Sequence, residues 1–389
     1  MKKKLLLVIP HLTIGGVQKS LISALPTLDY EKYDVTLYLR KNRTTLLQYV
    51  DKRVNVIINE DKTKHYRKPY SVFLQIVSMI LSVLGLKEKS AEIDKKLGDF
   101  IREQSMKYEY KTYFKDIVFD KAIAYVQGYT VELVDKYVNS KDKYVFFHTS
   151  KDEVHYLHEK ALPHFKKIAA LHEEQAGLVK SWYPEIADRV TIVENFVSRS
   201  AIEQQSLEYT VERPENKTVL CSCGRLSPVK GFDIAVESAK LLKDKNTEFL
   251  WYFVGDGPER ERLEKQIDEY NLSDCVIITG MKENPYPYMK AADIYVQPSY
   301  EEALGLTIVE AQKLKKPVVS TATVGGNKLV SHKRTGLVAE ISAESLSENI
   351  LMLIIDKSLY NSISEELNSI DDSQELNKFK AQWKKLLEE

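Results

Sequence analysis

The chain reads as an α/β protein of two successive strand–helix units, each built on a parallel sheet, and three observations carry that reading. Short apolar runs alternate with stretches of helical periodicity along nearly the whole sequence. The alternation restarts after a polar segment at 198–216. At 389 residues the chain exceeds the size at which a single core usually stops growing. Expected boundaries are 1–200 for the first unit, 201–365 for the second, and 366–389 for a terminal helix that packs back on the first.

Residues 4–9 form the first apolar run, 11–16 a glycine-containing loop, and 17–28 a helix with apolar positions near a helical repeat. Residues 35–39 and 54–58 are further strands. The basic residues 2–4 and the five apolar residues after them stop at Pro10 and His11, which fits a buried strand and not an export segment. The stretch 62–89 holds six Lys and Arg, one acid, and an apolar run at 72–86. As a helix it would present a broad apolar face flanked by lysines, suited to an anionic membrane surface. It is equally suited to packing on the sheet.

Lysine-rich residues 90–115 are helical in character. Strands follow at 121–126, 144–147, 167–171 and 189–193, with a helix at 129–138. His155, His158 and His164 lack the spacing of a zinc site and read as surface or packing residues. In the second half, strands at 218–221, 249–254, 276–279, 294–296, 317–321 and 336–338 alternate with helices at 232–242, 259–270 and around Glu310. The tail from 342 is helical, and Phe379, Trp383 and Leu386 mark its packing face.

Composition narrows the partners. Lys+Arg and Asp+Glu both number 56, which gives no reason to expect nucleic acid. Residues 1–200 carry 33 basic against 25 acidic side chains, so the first half is the better match for an anionic surface. Three cysteines suggest a reducing compartment, with Cys221 and Cys223 as core and turn residues. No acidic cluster resembles a divalent-ion site, and no Ser or Cys nucleophile stands with a positioned acid.

The loops of interest follow strands, at the end where open α/β sheets bind ligands, and two such sheets would face each other across a cleft. Arg225 and Lys230, five apart with Pro228 between them, pair a guanidinium fork with a point charge, a combination suited to a diphosphate. Gly305 opens a helix whose free N–H groups favour an anion. Glu302 and Glu310 beside it would hold hydroxyls of a sugar and a ribose, or would simply be a capping carboxylate and a helix-face residue. Gly15 and Gly16 allow close backbone approach ahead of a helix. His148, at a strand end, could hydrogen-bond a sugar hydroxyl.

Together, G-R-L-S-P-V-K-G at 224–231, G-D-G-P at 255–258, P-S-Y-E-E-A-L-G-L-T-I-V-E-A at 298–311 and the Gly15-Gly16 loop resemble the family 4 retaining glycosyltransferases. The resemblance implies the GT-B fold, two Rossmann-like domains facing across a cleft. It implies a nucleotide-diphosphate sugar donor, UDP-sugar favoured and GDP-sugar allowed, with no metal or separate cofactor. By position, Arg225 and Lys230 resemble the diphosphate pair, Glu302 the residue at the transferred sugar, and Glu310 the ribose ligand. His148 resembles the histidine near the donor sugar, and Gly16 the residue whose loop approaches the phosphates. Tyr286, in the segment 284–289, would lie near the base, and Leu304, Gly305 and Leu306 at the phosphate end of the helix.

The implied reaction is same-face, retaining transfer to a lipid-linked or surface-polysaccharide precursor, by a cytoplasmic protein held peripherally at the inner face of the cell membrane. A partner protein is a further expectation. The alternatives are a soluble acceptor, or a non-catalytic partner protein that kept the fold.

Overall fold

A computed structural model describes residues 1–60, 76–80, 87–148, 155–302 and 305–389. Most of the 62–89 stretch, together with Ala303 and Leu304, lies outside them. The chain divides into two compact units, Met1–Phe196 with Glu375–Glu389, and Val197–Gln374. The sequence reading put the corresponding boundaries at 200 and 365.

In the first unit, strands β1 (Lys3–Ile9), β2 (Tyr33–Leu39), β3 (Asn55–Ile58), β4 (Phe119–Ala124), β5 (Ser140–Phe146), β6 (Lys167–Ala170) and β7 (Val190–Ile192) form a parallel sheet in the order β3-β2-β1-β4-β5-β6-β7. Parallel strands are covered on both faces and therefore need continuous apolar runs. Leu5 to Ile9 of β1 are wholly inaccessible. The helix Lys87–Glu109 lays Leu97 and Met106 inward and ends in a π turn at Tyr110–Phe114. The last helix, Ser373–Glu388, belongs to this unit for most of its length. Its Trp383 packs 5.3 Å from Phe146, and Phe379 stacks 5.0 Å from Phe196.

The second unit carries β8 (Thr218–Cys223), β9 (Phe249–Val254), β10 (Val276–Gly280), β11 (Ile294–Gln297), β12 (Val318–Thr321) and β13 (Gly336–Ala339), parallel, in the order β10-β9-β8-β11-β12-β13. All six residues of β9 are buried. In both sheets the strand order reverses beside the first strand, at β1/β4 and at β8/β11, and the loops leaving those strands open at a switch point.

One expectation needs correction. The 198–216 segment is no plain connection, because Arg199–Gln205 is helical. Its Ser198 hydroxyl accepts from the Ala201 N–H and its Ile202 is buried, so one cap and one apolar anchor suffice in a polar sequence. Gly325 and Gly326 lie in a short helix, Val324–Leu329, capped by the Thr323 hydroxyl. Cys221 and Cys223 are both buried, with their sulfurs 3.5 Å apart.

Candidate functional site

In the second unit the chain leaving β8 runs through Arg225 to a tight 3-10 turn, Pro228–Lys230, and then Gly231. Gly231 has φ 62°, and a Cβ there would stand 2.0 Å from the Pro298 carbonyl oxygen. A glycine is therefore what lets this loop close on the one leaving β11. The Tyr300 N–H seals the approach by donating to the Val229 carbonyl at 3.0 Å.

The consequence is a pairing across 72 residues: Lys230 Nζ lies 2.7 Å from Glu302 Oε2. The other carboxylate oxygen, Oε1, accepts from the Gly305 N–H at 3.2 Å. Gly305 itself sits at φ 54°, ψ 40°, the left-handed cap from which the helix Leu306–Lys313 starts. Arg225 is exposed, and its side chain makes no hydrogen bond or ion pair among the described residues. Lys230, Glu302, Gly305 and the start of the Leu306 helix are thus gathered at one end of one sheet, with Arg225 on the loop that carries Lys230.

One turn along that helix, Glu310 is 2% exposed, and Tyr286 Oη donates to its Oε1 at 3.0 Å. Tyr286 opens the helix Tyr286–Ala291, so this contact joins the 284–289 segment to the Leu306 helix. Behind the site lies a hub not legible from motifs. Gln297 Oε1 accepts from the hydroxyls of Tyr295 and Thr307, both at 2.9 Å, and Gln297 Nε2 donates to Ser299 Oγ at 2.8 Å. It ties the end of β11 to the start of the Leu306 helix.

In the first unit, Gly15 is the extended cap of the helix Gly16–Ala24, and Gly16 is exposed at its first turn. His148 follows β5 by two residues, and its backbone N–H donates to Gln127 Oε1 at 2.8 Å. Its ring lies 5.0 Å from Tyr125 and is stacked 5.9 Å from Phe146. Both ring nitrogens are buried, and neither has a side-chain hydrogen-bond partner among the described residues. Burial, opposed in part by the Tyr125 backbone, pushes its pKa down to about 4, so the imidazole is neutral at pH 7. Sequence reasoning found the histidine but not these two aromatic neighbours, which are themselves packed by Trp383, 235 positions further on in the chain from His148.

His158 is fully buried and accepts from the Gly128 N–H at 3.0 Å, while His164 is exposed beside Asp135. Among the described residues no group of His, Cys, Asp and Glu could hold a metal ion. No described helix is long and apolar enough to cross a membrane.

Residues 204–368 match the family model of glycosyl transferases group 1. Over 195 residues the chain is 29% identical to the lipopolysaccharide core biosynthesis glycosyltransferase LpsE of Rhizobium meliloti, covering 47% of this chain and 55% of that protein. Over 126 residues it is 33% identical to the 2-deoxystreptamine N-acetyl-D-glucosaminyltransferase of Niallia circulans, covering 32% of each. The chain thus spans about half the length, or less, of the curated relatives it matches. Among solved structures, Anabaena HepE in complex with UDP and glucose superposes with a TM-score of 0.67 at 18% identity, over 99% of both chains. S. aureus TarM, in a complex with UDP, gives 0.68 at 14% over the whole of both.

The family 4 label is overturned by the match to group 1. Three of the motifs that suggested family 4, at 224–231, 255–258 and 298–311, lie inside the matched segment. In fold the chain is α/β and GT-B, with two Rossmann-like parallel-sheet domains, and most of its second unit is similar in sequence to glycosyl transferases group 1.

Proposed function

We propose that the protein is a glycosyltransferase that takes its sugar from a nucleoside-diphosphate donor held by the second unit. The observation that carries this reading is the Lys230–Glu302 pair set at the start of the Leu306 helix, with Arg225 on the same loop as Lys230. The diphosphate would take the Lys230 ammonium and the Arg225 fork, and free N–H groups of the helix start would face the same oxygens. Glu302, released from Lys230, would meet hydroxyls of the transferred sugar. Glu310, oriented by Tyr286, would take the ribose.

As the glycosidic bond breaks, negative charge grows on the leaving diphosphate. Fixed cations stabilise that charge more than they stabilise the bound donor, which lowers the barrier. Glu302 is already engaged by an ammonium and a backbone N–H, which suits a sugar-hydroxyl ligand better than an attacking nucleophile. Same-face transfer with retention follows, a leaving-group oxygen taking the proton of the incoming hydroxyl. His148, neutral at pH 7, would orient the donor sugar by a hydrogen bond without adding charge.

UDP-sugar is the favoured donor, in keeping with the UDP complexes of HepE and TarM. The acceptor is a lipid-linked or surface-polysaccharide precursor, as the name of the lipopolysaccharide relative suggests. Peripheral attachment through 62–89 is supported by Ile76, Met79 and Ile80, which are 48%, 63% and 49% exposed on one helical face.

A thermal-shift panel of uridine, guanosine and adenosine diphosphate sugars tests the donor, since a ligand of the folded form raises the melting temperature. Stabilisation by UDP-sugar with retained anomeric configuration in the product is the expected result. Inverted product would exclude the same-face mechanism.

A further inference from the structure

The first unit holds a pocket of about 420 Å³ that the donor reading does not use. Its wall includes Arg40, Lys95, Arg102, Asp99, Ser105 and Tyr129. Arg40 directly follows β2 and Tyr129 follows β4 by five residues, so the pocket opens at the strand ends on either side of β1. That is the ligand-binding edge of an open parallel sheet.

The charges of this wall are answered unequally. Arg102 is matched by Asp99 at 2.6 Å and by Glu132 at 2.9 Å. Glu109, behind the wall and 1% exposed, accepts from Tyr38 Oη at 3.0 Å and Tyr129 Oη at 2.7 Å. Arg40 lies flat on the Tyr129 ring, its guanidinium carbon 3.5 Å from the ring centroid. Its nearest carboxylate oxygen, on Glu109, is 3.5 Å from Nε, an ion-pair distance but not a hydrogen bond, and Nε is buried without a partner.

A guanidinium carries five N–H donors in a fixed fork, and leaving buried donors unmet is costly. Arg40 is held over the Tyr129 ring and beside Glu109, is only 25% exposed, and among the described residues its Nε has no hydrogen-bond partner. It is preset for an oxyanion arriving in the pocket, where Tyr129 and Ser105 also line the wall. We infer that this pocket recognises an anionic unit of the acceptor glycan, a uronate carboxylate or a sugar phosphate, through Arg40. The inference rests on the glycosyltransferase reading for the word acceptor, but the site itself depends only on the first unit.

The test is calorimetric titration of the full chain, with UDP at saturation so that any anion site in the second unit is filled. The probes are methyl β-D-glucuronide, glucose 6-phosphate and neutral methyl β-D-glucoside. One or both anionic probes should bind, the neutral one at least tenfold more weakly, and the arm that binds identifies carboxylate or phosphate. Arg40→Gln should weaken the anionic probe at least tenfold, and Arg40→Lys should restore part of it.

Tyr38→Phe, which removes a Glu109 contact without touching the wall, should leave probe binding intact. If Tyr38→Phe weakens binding as much as Arg40→Gln does, Arg40 serves only the Glu109 cluster and the inference is overturned. It is equally overturned if no anionic probe binds, or if Arg40→Gln binds as wild type does. Melting curves with UDP on Arg40→Gln separate the two claims, because the donor reading fails only if nucleotide no longer stabilises any form of the chain.

Discussion

Replacing Lys230 with Met removes the ammonium while keeping most of the stem, and the structure sets two magnitudes that pull apart. The Lys230 and Glu302 side chains are 28% and 12% exposed, so solvent screens their attraction and the pair itself contributes about 0–1 kcal/mol. Glu302 keeps its bond from the Gly305 N–H, so the carboxylate is not stranded. The stability loss should be about 0–1 kcal/mol, or roughly 0–4 °C in melting temperature for a unit of this size. A charge-assisted hydrogen bond to phosphate is worth about 1.5–3 kcal/mol, so UDP affinity should fall roughly 10- to 150-fold. The paired assay is unfolding monitored by circular dichroism alongside calorimetric UDP titration. UDP binding within about twofold of wild type, with melting lowered by more than about 12 °C, would make Lys230 a structural residue and refute the reasoning.

Three further outcomes follow from other parts of the molecule. His148 has a pKa of about 4 when folded against about 6.5 when unfolded, so the unfolded chain binds a proton first as pH falls. Stability should drop by about 3 kcal/mol between pH 6.5 and pH 4, a share that His148→Phe abolishes in urea unfolding measured across that range. Burial lowers the Lys316 pKa to about 8, so keeping it charged at pH 7 destabilises the fold. Lys316→Met should raise the melting temperature at pH 7 by roughly 2–8 °C, a gain of about 1–2 kcal/mol, and the advantage should shrink from pH 8 to pH 10.5 as the wild-type lysine loses its proton. Trp383→Ala, at a site 3% exposed between Phe146 and Phe379, should cost about 3–5 kcal/mol in chemical unfolding.

The strands were legible because a parallel sheet covered on both faces demands unbroken apolar runs, and Leu5 to Ile9 or Phe249 to Val254 admit little else. The helix Arg199–Gln205 was not, since a single buried residue, Ile202, leaves no periodicity to detect. The positions of Lys230 and Glu302 could be named from local motifs. Their meeting depends on Gly231 pressing against the Pro298 carbonyl, a contact between distant segments. The Glu109 cluster was hidden for the same reason, because its partners Tyr38 and Tyr129 lie 71 and 20 residues away on elements that only the sheet order brings together.

The end of the second unit was similarly opaque. Asp372 receives Arg199 at 2.9 Å and Lys313 at 2.8 Å, which binds the residues before the last helix to the Leu306 helix and to the helix that follows Phe196. Nothing in the local sequence of 366–374 announces that pairing, and the expected boundary at 365 reflects its absence from view.

The pyrophosphate of the donor belongs at the start of the Leu306 helix. A crystal structure of the full chain with UDP should show that group within hydrogen-bond reach of Lys230 and Arg225 at the start of the Leu306 helix, with Glu310 on the ribose. UDP seated anywhere else, with Lys230 still paired to Glu302 and Arg225 still in solvent, would contradict it.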